Sequence, residues 1–149
     1  GVWIQMHPDW TTGDMPSMVM DDEGNPIIAF MARSADGKAP AGVKLATRKG
    51  AAWNVEWIDQ GHGVGNQPLL KRDRQGRYHL AYWDERDSSL KYLVRKGTGP
   101  WDKQARRVEG LMSEIQPSLM AMAIAADGTA RVAFWTNSGH LEFRQLAPR

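Results

Sequence analysis

The chain has 149 residues, of which 42% are hydrophobic and 24% are charged, a balance typical of a single globular domain. The formal net charge is +2, and the basic residues are interleaved with acidic ones, so nucleic acid is not an expected partner. A run of about 18 apolar residues is absent, as are the basic and apolar segments of a signal peptide, so we expect no membrane insertion.

The chain contains no Cys, which excludes disulfides and thiolate metal sites within it. This leaves the compartment open, because many exported proteins also lack Cys. The location is therefore unassigned; a secreted or periplasmic one is favoured, with a cytoplasmic one as the alternative. No motif indicates a cofactor.

Three segments share one pattern at intervals of 52 residues, namely 24–31, 76–83 and 128–135. Each begins with a turn glycine, followed four residues later by an aliphatic residue, then Ala, then Phe or Tyr. This pattern is typical of a short buried strand that leaves a tight turn. The spacing predicts three copies of one structural unit.

Apolar and polar residues alternate around these segments and predict four strands in each of the first two units. In the first unit they are 16–20, 26–31, 43–48 and 53–58. In the second they are 68–73, 78–83, 90–95 and 101–108. The third unit has only three, at 120–124, 131–135 and 141–146, whereas the lone segment 2–6 carries Trp3, which resembles the Trp that opens the fourth strand elsewhere. We therefore predict that the N-terminal strand completes the last unit.

Repeated four-stranded units of about 40 to 50 residues are typical of a β-propeller, and so is a last unit that is completed by a strand from the N-terminus. The predicted fold is thus an all-β β-propeller module of three four-stranded blades, in one domain with blades at about 16–58, 68–108 and 120–146. The repeated motif is Pro-x-Leu/Met, Asp-x-x-Gly, an aliphatic-Ala-aromatic strand, Leu-Lys-Tyr, Arg-Lys and Trp. It resembles the bacterial sialidase-like propeller superfamily over most of the chain.

The chain departs from true sialidases because it has no Ser-x-Asp-x-Gly-x-Thr-Trp box and no evident cluster of three Arg, which argues against sialidase activity. The resemblance implies the propeller fold, and related propellers include both sugar-binding proteins and polysaccharide-cleaving enzymes. The fold alone does not distinguish sugar binding from polysaccharide cleavage.

Propellers close with about four to eight blades, so three blades predict that two chains combine. The expected partner is a second copy, giving a homodimer with a six-bladed ring and strand exchange. The alternative is that this chain is half of a longer polypeptide.

In a propeller, the loops that connect fourth to first strands and second to third strands lie on one face, and the resemblance implies that they build the binding site. Trp83 and Trp135 end their second strands there, with Met31 as the third member, so a ring of partly exposed positions is expected. Trp3, Trp53, Trp57 and Trp101 are expected to pack between or inside the blades. The predicted ligand-binding residues are Trp10, His62, Asn66, Trp83, Asp84, Arg86, Trp135 and His140.

An indole offers a flat apolar face to a sugar ring while neighbouring polar groups bond to its hydroxyls. Binding of a glycan or polysaccharide, as in a lectin, is therefore the leading functional hypothesis. The alternatives are a polysaccharide-cleaving hydrolase or lyase and a protein-interaction scaffold. The candidates for a hydrolytic carboxylate pair are the loop acids Asp9, Asp14, Asp59, Asp84 and Glu85. A lyase base would be a His or Tyr, for example His62 or His140. No two His have zinc-ligand spacing, so no metal site is predicted, and His79 is expected to be structural.

Overall fold

The structure is a computed structural model that describes residues 12–33, 41–102, 106–108 and 115–146, with side chains placed for 14–33, 41–102, 108 and 120–146. These residues form three antiparallel sheets. Sheet 1 contains β1 (Thr12–Met20), β2 (Pro26–Ala32), β3 (Gly42–Lys49) and β4 (Ala52–Gln60) in chain order. Sheet 2 contains β5 (Val64–Arg72), β6 (Arg77–Asp84), β7 (Ser89–Lys96) and β8 (Arg106–Arg107), and sheet 3 contains β9 (Ile115–Ile124), β10 (Ala130–Thr136) and β11 (Leu141–Leu146). The predicted all-β class is confirmed.

The repeat is visible in the turns between the first two strands of each sheet. Gly24, Gly76 and Gly128 have φ values of +78°, +75° and +83°, which only glycine adopts at little cost. An Asp carboxylate accepts backbone N–H bonds in each turn, for example from Glu23 at 2.9 Å to Asp21. The acidic turn at residues 21–23 is therefore a hydrogen-bonded hairpin turn.

The first strands of sheets 1 and 2 begin four residues earlier than predicted, at Thr12 and Val64. Each continues across a β-bulge, at Met15 (φ +52°) and Gln67 (φ +45°), and a proline follows in both cases. Pro lacks the N–H that a regular ladder needs, and a bulge tolerates this loss. The prediction started both strands at these prolines, because a proline in a sequence is often a strand boundary.

Among the described residues of 101–108, Arg106 and Arg107 pair with β7 as β8. On either side of β8, the Asp102 and Val108 N–H groups donate to the Val94 and Leu90 carbonyls of β7 at 3.1 and 2.8 Å. The predicted N-terminal strand 2–6, with Trp3, lies outside the described residues. Within the described residues, no helix is long and apolar enough to cross a membrane.

Apolar side chains from neighbouring sheets form the core. One cluster joins Val43 and Leu45 of sheet 1 to Leu70 and Tyr82 of sheet 2, and a second joins sheets 2 and 3. Side chains of the first strands also bond across the sheets. The Leu70 N–H donates to Ser17 Oγ at 2.9 Å, and the Gln67 side-chain amide exchanges two bonds with the backbone of Met120 at 2.8 and 3.1 Å. The three sheets are thus stacked in chain order, each against the next.

Candidate functional site

Charged and polar side chains gather where β6 and β4 end, and we call Asp59, Tyr82, Asp84, Arg86 and Lys91 the Asp84 cluster. Asp84 is 1% exposed. A buried carboxylate without a partner is destabilising, so its charge needs partners. Arg86 donates to both of its oxygens, from Nε at 2.9 Å and from a terminal nitrogen at 2.7 Å. The Lys91 ammonium lies 3.7 Å from the same carboxylate. Asp84 is therefore a paired anion that fixes the position of Arg86.

Arg86 also connects sheet 2 to sheet 1. A terminal nitrogen of its guanidinium lies 3.3 Å from Asp59 Oδ2, and the Tyr82 hydroxyl donates to that oxygen at 2.8 Å. Because one guanidinium lies between two carboxylates, Asp59 and Asp84 do not form the unneutralised pair that a hydrolase would use. The arrangement instead fixes a tyrosine hydroxyl and an aspartate at the boundary between two sheets.

The pKa of the Tyr82 phenol is raised, first by burial and then by its hydrogen bond to Asp59 and the nearby negative charges. The pKa of Arg86 is raised as well, mainly by its hydrogen bonds to Asp84. Tyr82 therefore stays protonated and Arg86 stays charged over the physiological range.

The glycine-rich turn at residues 61–63 approaches this cluster closely. A Cβ on Gly61 would lie 2.8 Å from an Arg86 nitrogen, and one on Gly63 would lie 2.8 Å from the Glu85 Cβ. The Glu85 N–H donates to the Gly63 carbonyl at 2.8 Å. Glycine is thus required here because the loop packs against residues 85 and 86.

A pocket of about 360 Å³ lies between sheets 1 and 2, next to the Asp84 cluster. It is lined by Trp57, Ile58, Asp59, Tyr82, Leu93, Trp101 and Asp102. We call it the Trp57–Trp101 pocket. Its volume falls within the range of about 300–1,000 Å³ that is usual for small-ligand sites. It combines two indoles, a protonated phenol and two carboxyl groups.

Cations fix the orientation of both indoles in this pocket. The Lys44 ammonium lies 4.2 Å from the centre of the Trp57 ring, and the Arg95 guanidinium lies 4.7 Å from that of Trp101. Arg95 is itself bonded to Glu56 at 2.8 Å. Burial lowers the pKa of Lys44. The Trp101 Nε1–H is buried without a hydrogen-bond partner among the described residues.

A larger cavity of about 580 Å³ is also lined by Trp101, together with Arg95, Glu56, Lys49 and threonines of the hairpin ends. Among the described residues, its lining contains one indole and no second aromatic side chain. The Trp57–Trp101 pocket is therefore the better site for a flat ligand.

The predicted site residues of sheet 2 lie at the end of the sheet where the Asp84 cluster forms. His62 is exposed in the glycine-rich turn, and the Asn66 amide donates to Glu85 Oε1 at 3.2 Å. Asp84 and Arg86 are joined directly. Trp10 lies outside the described residues.

The expected ring of partly exposed positions is wrong for two of its three members. Met31 and Trp83 are each 4% exposed and belong to the core, whereas Trp135 is 40% exposed. Trp83 packs with Leu90 and Tyr92 against sheet 3, so its indole is covered by the neighbouring sheet. His140 is exposed beside Trp135 on sheet 3, where its N–H donates to Thr136 Oγ1 at 3.0 Å.

Trp57 and Trp101 pack against the apolar clusters of the sheets, as expected. The prediction did not include the pocket that they also line together with Tyr82. The tryptophans are half-buried in the structure, and each presents part of its ring to the pocket. A sequence signal did exist, since Trp57 lies two residues before Asp59 and Trp101 directly precedes Asp102. In each case an aromatic residue is close to a carboxylate.

Asp73, His79 and Tyr92 form a chain of hydrogen bonds that resembles a catalytic triad. His79 Nε2 lies 3.0 Å from Asp73 Oδ2, and its Nδ1 lies 2.6 Å from the Tyr92 hydroxyl. His79 is 0% exposed, and both of its nitrogens have partners. The chain therefore links β6 and β7 inside sheet 2, which agrees with the structural role predicted for His79.

Within the described ranges, no group of three or more His, Asp or Glu side chains is placed to bind a metal ion. Neither a scan against protein-family models nor a search of the curated proteins finds a match for this chain. Its function has to be inferred from the arrangement of its own side chains.

Proposed function

We propose that this protein is a carbohydrate-binding β-propeller module, whose three sheets are consecutive blades and whose sugar site is the Trp57–Trp101 pocket. Two observations support the blade arrangement. The turns repeat at 52-residue intervals, and the first strands of neighbouring sheets are bonded to each other. Propellers are built by such radial repetition of four-stranded units.

The observation that carries the sugar-binding proposal is the lining of the pocket. Sugars present C–H faces that stack on indoles and hydroxyls that need both donors and acceptors. Trp57 and Trp101 supply the apolar surfaces, whereas Asp59 and Asp102 supply acceptors.

Binding is favoured over cleavage by the state of the polar groups. A tyrosine that acts as a lyase base needs a lowered pKa, and the pKa of Tyr82 is raised. Asp59 is held by Tyr82 and Arg86 at 2.8 and 3.3 Å, which suits an acceptor in a fixed position. The pocket thus has the properties of a preorganised binding site.

The proposal is tested by a glycan array on the wild-type chain, followed by titration of the best ligand with intrinsic tryptophan fluorescence. We expect Trp101→Ala to weaken binding by about 10-fold or more, equivalent to about 1.4 kcal/mol, because a stacking surface is lost. Asp102→Asn should also weaken binding. Asp102 is exposed, and thermal unfolding of the variant checks that its fold is retained.

The matched control is Trp135→Ala, which removes an exposed indole from sheet 3 and leaves the pocket unchanged. Its affinity should equal that of the wild type. Absence of binding to every glycan on the array would contradict carbohydrate binding itself. Loss of affinity in Trp135→Ala with none in Asp102→Asn would place the sugar on sheet 3 instead of in the pocket.

A further inference from the structure

The outer strand of sheet 3 exposes large apolar side chains on one face. Leu141 is 71% exposed and Phe143 is 66% exposed, and Trp135 on the neighbouring strand is 40% exposed. Leu141 pairs with Trp135 across β10 and β11. We call these three residues the sheet 3 face.

The same positions are buried in the other two sheets. Val43 and Leu90 correspond to Leu141, since each pairs with the equivalent residue of its second strand, and both are 0% exposed. Leu45 and Tyr92 correspond to Phe143 and are 0% and 3% exposed. In both sheets the next sheet of the chain covers these residues.

Sheet 1 shows the complementary pattern on its first strand. Met18 is 61% exposed and Met20 is 47% exposed. Leu70 and Met122 occupy the positions equivalent to Met18, because they face Leu80 and Val132 as Met18 faces Ile28. Leu70 and Met122 are 0% and 6% exposed, and the preceding sheet covers them. We call Met18 and Met20 the sheet 1 face.

The two internal interfaces therefore use one pairing twice. Val43 and Leu45 pack in one cluster with Leu70, and Leu90 and Tyr92 pack in one cluster with Met122. Leu141 and Phe143 at one end of the stack correspond to Val43 and Leu45. Met18 at the other end corresponds to Leu70 and Met122. The two ends therefore carry the residue positions that form the internal interfaces.

We propose that the sheet 3 face of one chain binds the sheet 1 face of a second copy, so that two chains close a ring of six sheets. This rests on the proposed blade arrangement and is independent of sugar binding. A dimer of this kind has two equivalent contacts, so the sheet 1 face and the sheet 3 face of each chain are both buried. A closed ring leaves no apolar face to bind further chains. Six blades fall within the about four to eight that propellers use.

The first measurement is the mass of the purified 149-residue chain by light scattering, which should be twice the 16.7 kDa of one chain. Met18→Asp and Leu141→Asp, made separately, should each reduce the mass to that of one chain. Both residues are exposed within the chain, so neither change disturbs its own core. The matched control is Ala126→Asp, which adds the same charge at an exposed turn of sheet 3 and should leave the mass unchanged.

The decisive step is mixing the two variants. The sheet 3 face of the Met18→Asp chain and the sheet 1 face of the Leu141→Asp chain are both native, so the mixture should show a mass above that of one chain. This outcome also shows that each variant is folded.

Four results would overturn the inference. A wild-type mass of one chain would remove the second copy altogether and leave the sugar-site proposal untouched. Dissociation by Leu141→Asp alone would mean that sheet 3 faces pair with each other. A mixture that stays at the mass of one chain, or dissociation by Ala126→Asp, would show that these two faces do not form the contact.

Discussion

At the scale of single residues, the neighbouring sheet decides what a repeated residue does. Trp83 and Trp135 occupy equivalent positions, yet one is 4% exposed and the other 40% exposed. The difference arises because sheet 3 covers Trp83, whereas no described sheet of the chain covers Trp135. His79 shows a similar contrast. Its counterparts in the other two sheets are Ile27 and Arg131, whereas His79 is hydrogen-bonded to the buried Asp73. Repetition of sequence therefore does not imply repetition of role.

Asp73 provides a prediction about acid stability. Burial raises its pKa, but hydrogen bonds from His79 and Arg77 outweigh this effect and lower the pKa from 3.8 to about 2. A carboxyl group whose pKa is lowered on folding stabilises the fold at pH values above its pKa in the unfolded chain. This contribution is lost as the pH falls from about 4 to about 2. We expect Asp73→Asn to reduce the free energy of unfolding by about 2 kcal/mol at pH 7 and to flatten its fall below pH 4.

Urea unfolding at a series of pH values measures this effect. The control is Asp127→Asn, which changes the carboxylate of the equivalent turn in sheet 3, where the group is exposed. Solvent screens such a group, so the control should have a much smaller effect. Equal losses in the two variants would show that the buried chain through His79 contributes nothing beyond an ordinary turn.

At the scale of elements, close approach of the first strands sets the spacing between sheets. Gly65 in β5 lies against β3 of sheet 1, where an added Cβ would be 2.5 Å from a Val43 methyl carbon and 2.9 Å from the Val43 backbone nitrogen. Its φ is +89°, which also disfavours a side chain. The strand therefore needs glycine for two independent reasons.

Gly65→Ala should destabilise the protein by about 3 kcal/mol, because backbone atoms cannot move aside as a flexible side chain can. Gly50→Ala is the matched control. Gly50 also has a positive φ, of +61°, but nothing lies within 4 Å of its added Cβ. It should cost only about 1 kcal/mol, the backbone contribution alone. Thermal unfolding compares the two, and similar losses would mean that sheets 1 and 2 separate easily at this contact.

At the scale of the whole molecule, the stack of three sheets has two unlike apolar ends. Apolar side chains fill both interfaces between the sheets. At the two ends of the stack, Met18 and Leu141 are 61% and 71% exposed, although their counterparts in sheet 2 are buried. Association that buries them stabilises the folded chain by mass action, since unfolded chains do not associate in this way.

The melting temperature should therefore rise with chain concentration, by a few degrees for each tenfold increase. Leu141→Asp should remove this dependence and give the lower melting temperature at all concentrations. Calorimetry over a hundredfold dilution series provides the measurement. A wild-type melting temperature that is independent of concentration would contradict stabilisation by association.

The sequence by itself determined the strands, the turns and the threefold repeat, because glycine turns and the alternation of apolar residues are local properties. It also located the end of sheet 2 where Asp84 and Arg86 meet, since these residues follow directly after a strand that the repeat identifies. The bulges at Met15 and Gln67 escaped prediction, because the prolines that follow them resemble strand boundaries.

Only the tertiary structure decided which aromatic residues are available to a ligand. Trp57 and Trp101 are far apart in the sequence and line one pocket because sheet 1 packs against sheet 2. Trp83 is closed off by sheet 3, which no local pattern reveals. Exposure depends on the neighbouring sheet, whose residues are distant in the sequence: Tyr82 and Asp59, which bond across sheets 1 and 2, are 23 positions apart, and Ser17 and Leu70 are 53 positions apart.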